Sequence, residues 1–314
     1  MSTTAADEST ALDRECPIID GRRQIQRIEA RTSDVGGIPV ARLLPNRERR
    51  LVGAWCFLDH AGPARFADGD AGLRVGPHPH TSLQTFTWMM AGEVVHRDSL
   101  GYEQVIRPGQ VNLMTAGRGI SHTETSVEGA RDLHAAQLWI ALPREYRDVE
   151  PRFDHYPDLP ELAVGHVTAT VLVGEYAGHQ APTLSYSPLL GMDLQWSCDG
   201  EAALELRPDF EYALLPLEGG VLVDGERFAV DELAYLGTGR DAVTLHTSGA
   251  GRALLIGGVP LGDEIIIWWN FVGHDRAAIE QAQRDWEQRT ARFGDIPDAV
   301  GRRLEPPPIP WASG

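Results

Sequence analysis

The chain has 314 residues, of which 42% are hydrophobic, and a formal net charge of −17. That length suits two domains of medium size better than one. The acidic balance argues against direct binding to nucleic acid, and no apolar stretch is long enough to span a membrane as a helix.

Residues 1–20 are polar and lack hydrophobic periodicity, so they read as a flexible N-terminus. The opening MSTTAADESTALDRE does not read as a signal peptide. From 21 to 145, short apolar runs at 51–58, 85–90, 104–106, 111–114 and 135–141 alternate with Gly, Pro, Asp and Asn. Such spacing predicts an all-β sandwich or barrel. The arginine-rich RTSDVGGIPVARLLPNRERR is broken by Pro and Gly and reads as strand-and-turn surface. Residues 146–162 lie in a Pro-rich stretch that reads as a linker.

A second β-rich unit is expected over 163–262. It echoes the first: MMAGEVVHRDSLGYEQVIRPGQVNLMTAG resembles PLEGGVLVDGERFAVDELAYLGTG, with Gly92 matching Gly219 and Gly109 matching Asp231. Residues 263–314 hold a helix and a Pro-rich tail. In the helix, Asp275 is the expected cap, Ile279, Ala282, Trp286 and Phe293 share a face, and Gly294 is the expected stop. EPPPIPW reads as extended polyproline. Cys16, Cys56 and Cys198 are odd in number and widely spaced. They read as structural thiols of a cytoplasmic protein.

Two short motifs carry the chemistry. His78 and His80 lie in GPHPHTSLQTF, and His122 and Glu124 in TAGRGISHTE. A spacing of two puts both members of each pair on one face of a strand. If the two strands meet, three imidazoles and a carboxylate can share one divalent transition metal. The glycines of TAGRGI read as a tight turn that positions His122 and Glu124. The repeat supplies an internal control, because the matching positions of the second copy are Glu205, Arg207, Thr244 and His246. These are no plausible ligand set. Phe86, Trp88 and Met90 share the parity of His78 and His80. They read as barrel core that also lines a pocket for a flat aromatic molecule. His96, at a hairpin end, reads as structural or as a support for a ligand. Asp59–His60 reads either as a pair that orients a ligand histidine or as a turn.

With those motifs in place, the chain resembles the pirin family of the cupin superfamily over nearly its whole length. The resemblance implies two cupin β-barrels packed in one chain, with one metal in the first barrel only. It implies His78, His80, His122 and Glu124 as metal ligands. Fe(II) is the expected ion, with Ni, Cu, Zn, Mn and Co as alternatives. One departure stands out. Gln84 occupies a position that is often a carboxylate, and on an unbroken strand it would share the face of His78 and His80. The resemblance further implies a quercetin 2,3-dioxygenase-type activity on a flavonol or another aromatic molecule with O₂, Glu124 accepting the substrate's proton. The alternative is a non-catalytic, metal-dependent regulator that binds metabolic enzymes or transcription factors.

Overall fold

The computed structural model describes residues 16–19, 22–67 and 69–311. The expected flexible N-terminus lies mostly outside them. Strands dominate, and the one α-helix of the described residues is Arg276–Glu287. The first barrel pairs a seven-stranded sheet with a four-stranded sheet. The larger runs Arg152–Tyr156, Val111–Thr115, Leu83–Ala91, Asp132–Ala141, Trp55–Arg65, Ile38–Leu44, Arg31–Val35. The smaller runs Glu103–Ile106, Val94–Asp98, Ile120–Ser126, Arg74–His80. The second barrel repeats the plan with sheets of seven and four strands, which makes the fold all-β with two barrels in one chain.

Two connections tie the halves together. Strand Gln26–Glu29 precedes the first barrel in sequence yet pairs with Glu232–Gly237, at the edge of the second barrel's large sheet. The Pro-rich stretch around 146–162 carries two strands. Arg152–Tyr156 pairs with Val111–Thr115, and Glu161–Val164 pairs with Val167–Val173.

The sequence repeat maps onto equivalent turns. Gly92 and Gly219 follow corresponding strands with φ of 81° and 64°. Gly109 (82°) is matched by Asp231, which holds the same left-handed backbone at 66°. A non-glycine residue pays for that conformation, and Asp231 uses its side chain: Oδ1 lies 2.6 Å from His60 Nδ1 of the first barrel. His60 in turn meets His134, Nε2 to Nε2 at 2.8 Å. Asp59 instead takes two bonds from Arg42, at 2.7 and 2.6 Å. Asp59–His60 therefore orients no ligand histidine. It serves an ion pair on one side and the barrel–barrel contact on the other.

The parity expected for Phe86, Trp88 and Met90 is overturned. The strand is not continuous with that of the histidines. The chain crosses from the small sheet to the large one at Thr81–Ser82, and Ser82 takes a φ of 53°. This reverses the facing, so Thr85, Thr87 and Met89 line the cavity. Phe86, Trp88 and Met90 turn outward into the core shared with the second barrel, beside Trp55, Leu215 and Ile256. Trp55 Nε1 donates to Gly257 O at 3.0 Å, and Trp88 Nε1 donates to Asp193 Oδ1 at 3.3 Å. Gln84 goes with them. Its Nε2 donates to Thr115 Oγ1 at 3.0 Å, and the residue does not line the cavity.

The helix begins as expected, with Asp275 accepting from Ala278 N at 2.8 Å and with Ile279, Ala282 and Trp286 buried. It ends earlier than expected. Glu287 is its last residue, and Arg289, at φ 54°, turns the chain before Gly294 is reached. Gly294 (62°) closes a separate turn by donating to Ala291 O. The tail then runs back across the helix to the first barrel. Trp286 Nε1 donates to Leu304 O, and Leu304 N donates to Pro77 O, both at 2.9 Å.

Candidate metal centre

Strands Arg74–His80 and Ile120–Ser126 pair antiparallel, with His78 opposite His122 and His80 opposite Ile120. Pro77 and Pro79 cannot donate to a ladder, and they are tolerated because this strand is the edge of its sheet. A bulge between His122 and Glu124 places Glu124 opposite Val75. The turn before the second strand is built from Gly117 (φ 48°) and Gly119 (φ 149°). A Cβ at Gly117 would lie 1.9 Å from Val149 O.

The pairing brings three imidazoles together. The donor atoms of His78, His80 and His122 lie within 4.8 Å of one another, and all three residues are buried. Glu124 falls in a second grouping with His96 and His122.

The hydrogen bonds behind the rings define their tautomers. His78 Nδ1 donates to Gly76 O at 2.9 Å, and His80 Nδ1 donates to Asn270 O at 2.9 Å. His122 Nδ1 lies 3.3 Å from His96 Nδ1, and His96 Nε2 lies 3.1 Å from Asp98 Oδ2. Asp98 is fully buried, and its Oδ1 accepts from the backbone N–H groups of Leu100 and Tyr102. The carboxylate can only accept, so His96 donates through Nε2, and in the neutral ring Nδ1 is then the acceptor. His122 then carries its proton on Nδ1. Phe153 stacks on the His96 ring at 4.3 Å between centroids and holds its plane. Each of the three clustered histidines thus presents a bare Nε2. His80 Nε2 and His122 Nε2 lie only 3.1 Å apart.

Two lone pairs that close repel unless a cation lies between them, so the donor set fits a single divalent ion. Burial reinforces this. It lowers His78 to about 4, and it pushes His80 and His122 well below the usual imidazole range, helped by the neighbouring histidines. All three are therefore neutral and able to ligate at pH 7. Burial also raises the Glu124 carboxyl, against the opposing effects of His96 and the Thr87 side chain.

The cluster opens onto a cavity of about 1200 Å³. Phe57 and Trp139 stack there with centroids 4.2 Å apart and planes 15° from parallel, and Trp139 meets His80 edge-on at 5.1 Å. Residues 302–307 of the tail form part of its wall. His96 acts as a support, as one of the two readings of its position had it. Asp98, Thr85, Thr87 and Asn270 carry no motif that singles them out. The signal available for Asp98 was its spacing of two from His96, on a strand next to the HxE strand.

The second barrel has no equivalent among the described residues. Its interior is filled by Tyr176, Trp196, Phe210, Tyr212 and Phe228. Arg207 pairs with Asp209 at the surface, and His246 with Glu201. No helix among the described residues is long and apolar enough to cross a membrane.

Comparison with known proteins agrees with this architecture. Residues 37–140 match the family model described as Pirin, and residues 191–294 match the Pirin C-terminal cupin domain. A Pseudomonas aeruginosa protein named "Putative quercetin 2,3-dioxygenase" is 57% identical over 99% of this chain and 98% of its own. A Caulobacter vibrioides "Pirin-like protein" is 36% identical over 85% of this chain and 94% of its own. The crystal structure of a quercetin 2,3-dioxygenase from Acinetobacter baumannii superposes with a TM-score of 0.89. It is 47% identical and covers 91% of this chain and 96% of that one. Two barrels, a histidine cluster confined to the first, and similarity along the whole length lead to one assignment: the chain belongs to the pirin family of two-barrel cupins.

Proposed function

We propose that this protein is a metal-dependent dioxygenase acting on a flavonol or a related enolic aromatic molecule. The observation that carries the reading is the convergence of three bare imidazole nitrogens on the wall of a large cavity with an aromatic face. His78, His80 and His122 would hold the ion, with Glu124 as fourth ligand or near-ligand. Fe(II) is the proposed identity, since nitrogen donors with one carboxylate and open positions suit it. When bound, such an ion supplies Lewis acidity toward an enolic oxygen and one-electron chemistry toward O₂.

The chain's own residues do the rest. The Phe57–Trp139 stack offers a flat face along which an aromatic substrate can lie. Glu124, beside the cluster, takes the proton from the substrate's enol. Asn270 and Gly76 hold the rings of His80 and His78 from behind. The names of the similar proteins from Pseudomonas and Acinetobacter support quercetin as the first substrate to try. Free thiols at Cys16, Cys56 and Cys198 support a cytoplasmic setting.

The test is anaerobic loading with Fe(II), followed by quercetin and air-saturated buffer, with O₂ uptake and carbon monoxide release measured together. Stoichiometric uptake and release is the expected result. Tight metal binding without either would overturn the dioxygenase reading.

A further inference from the structure

We propose that His60 and His134 hold one excess proton between them, and that this proton clasps the second barrel to the first. The clasp is independent of the reading of the metal centre.

The first observation is an unbroken line of contacts. Asp231 Oδ1 lies 2.6 Å from His60 Nδ1, His60 Nε2 lies 2.8 Å from His134 Nε2, and His134 Nδ1 lies 3.2 Å from Glu218 Oε1. Both histidines belong to the first barrel, on strands Trp55–Arg65 and Asp132–Ala141, and both are buried. Both carboxylates belong to the second barrel and reach solvent.

The second observation is a proton count. A neutral imidazole carries its one ring proton on Nδ1 or on Nε2, and an ionised carboxylate only accepts. With both protons on Nδ1, toward the carboxylates, two Nε2 lone pairs confront each other at 2.8 Å. With one of them moved to Nε2, a bare Nδ1 faces a carboxylate oxygen. A third ring proton removes both conflicts. Each Nδ1–H then meets a carboxylate, and one Nε2–H donates to the other Nε2. A metal ion does not take that place, because among the described residues no third donor joins the two nitrogens. A fourth proton is held off. Burial, the charge of His60 and that of Arg252 lower His134 to about 4, with Asp231 opposing.

The third observation is what surrounds the pair. Within the first barrel, Ala41 and Ala136 lie across the strands from His60, and Ala91 lies across from His134. On the second barrel's side the charged groups are Asp231, Glu218 and Arg252, and Arg252 Nε is held by Asp193 at 2.7 Å. The excess proton is thus what draws the two carboxylates to the histidines. Asp231 O also accepts from Ala30 N at 3.2 Å, next to the paired strands Gln26–Glu29 and Glu232–Gly237. Asp59, Ala61 and Ala135 alternate with the histidines and line the cavity, so the clasp grips the back of the cavity wall. When the proton leaves at high pH, the Nε2 atoms are opposed, both carboxylate contacts weaken, and this edge of the second barrel loosens.

The test uses full-length protein loaded with Zn(II), which keeps His78, His80 and His122 from titrating, with isotope-labelled histidine nitrogens. His60→Gln and His134→Gln assign the two rings. At pH 7, nitrogen NMR should show both Nδ1 atoms protonated and one proton shared by the two Nε2 atoms. On raising the pH, that proton should leave. Across the same pH, amide protection corrected for intrinsic rate should fall about tenfold at Ala30 and over Glu232–Gly237, the range of one charge-assisted contact. Strand Ala242–Thr247 should show no comparable fall. Asp231→Asn keeps a residue that tolerates the left-handed backbone, and it should release the proton at a pH lower by about one. A pair that is neutral at pH 7, or a release pH unmoved in Asp231→Asn, would overturn the shared proton. Protection that stays constant across the release pH would overturn the clasp.

Discussion

Asp98→Asn is the most informative single change, because it keeps shape and reverses one hydrogen bond. Asp98 Oδ2 accepts from His96 Nε2, while Oδ1 accepts from two backbone N–H groups. In the variant, the amide oxygen can keep the backbone bonds. The NH₂ group then faces His96 Nε2, which must become an acceptor. His96 would carry its proton on Nδ1, toward His122 Nδ1 at 3.3 Å. His122 must then either lose that bond or move its proton to Nε2, the atom that faces the cluster. Loss of such outer support costs about 10- to 100-fold in metal affinity, or roughly 1.4 to 2.8 kcal/mol. The assay is competition of Co(II) or Zn(II) against a chelator of known affinity, with the visible Co(II) spectrum as a readout of ligand geometry. Wild-type affinity within a factor of two, with an unchanged spectrum, would refute the tautomer chain.

Three other outcomes are expected. Glu124→Gln should retain metal, measured by elemental analysis after dialysis, and lose quercetin-dependent O₂ uptake by two orders of magnitude or more. The metal-free protein should lose stability on acidification. The folded-state value of His78 is depressed to about 4, so the unfolded chain binds the extra proton, and stability falls between about pH 6.5 and about 4. His78 alone contributes on the order of 2 kcal/mol of that loss by pH 5, to be read from urea unfolding at pH 7 and pH 5. His80 and His122 act in the same direction, and saturating Zn(II) should suppress the effect near neutrality. Gly76→Ala would put a Cβ 2.0 Å from Arg302 O. The tail should lift, which limited trypsin digestion would report as faster cleavage after Arg302 and Arg303.

The convergence of His78, His80 and His122 was legible in the sequence because a strand has a period of two, whereas the bulge between His122 and Glu124, which sets Glu124 apart with His96, was not. The same rule misplaced Phe86, Trp88, Met90 and Gln84. Parity carries over only while the chain stays in one sheet, and Ser82 marks a change of sheet that no residue-level pattern announces. That the described residues of the second barrel hold no equivalent cluster was readable because Glu205, Arg207, Thr244 and His246 are the wrong residue types at the repeat positions. His96 was visible as a histidine, but its tautomer depends on Asp98 and on a neighbouring strand. The tail was legible as extended. Its placement was not, because Leu304 reaches back 18 residues to Trp286 and more than 200 to Pro77.

The strand Gln26–Glu29 has a consequence for how the molecule can come into being. The segment made early in synthesis is needed to finish a sheet whose other members are made last. Until the far half has been made, those four residues have no strand to pair with, and they are at hand to cover the edge at Glu232–Gly237 as soon as it forms. A duplicated gene yields two units that could in principle be parted. Here the descendants hold each other's margin, and a cut between them would leave one half without its hem and the other with a loose thread.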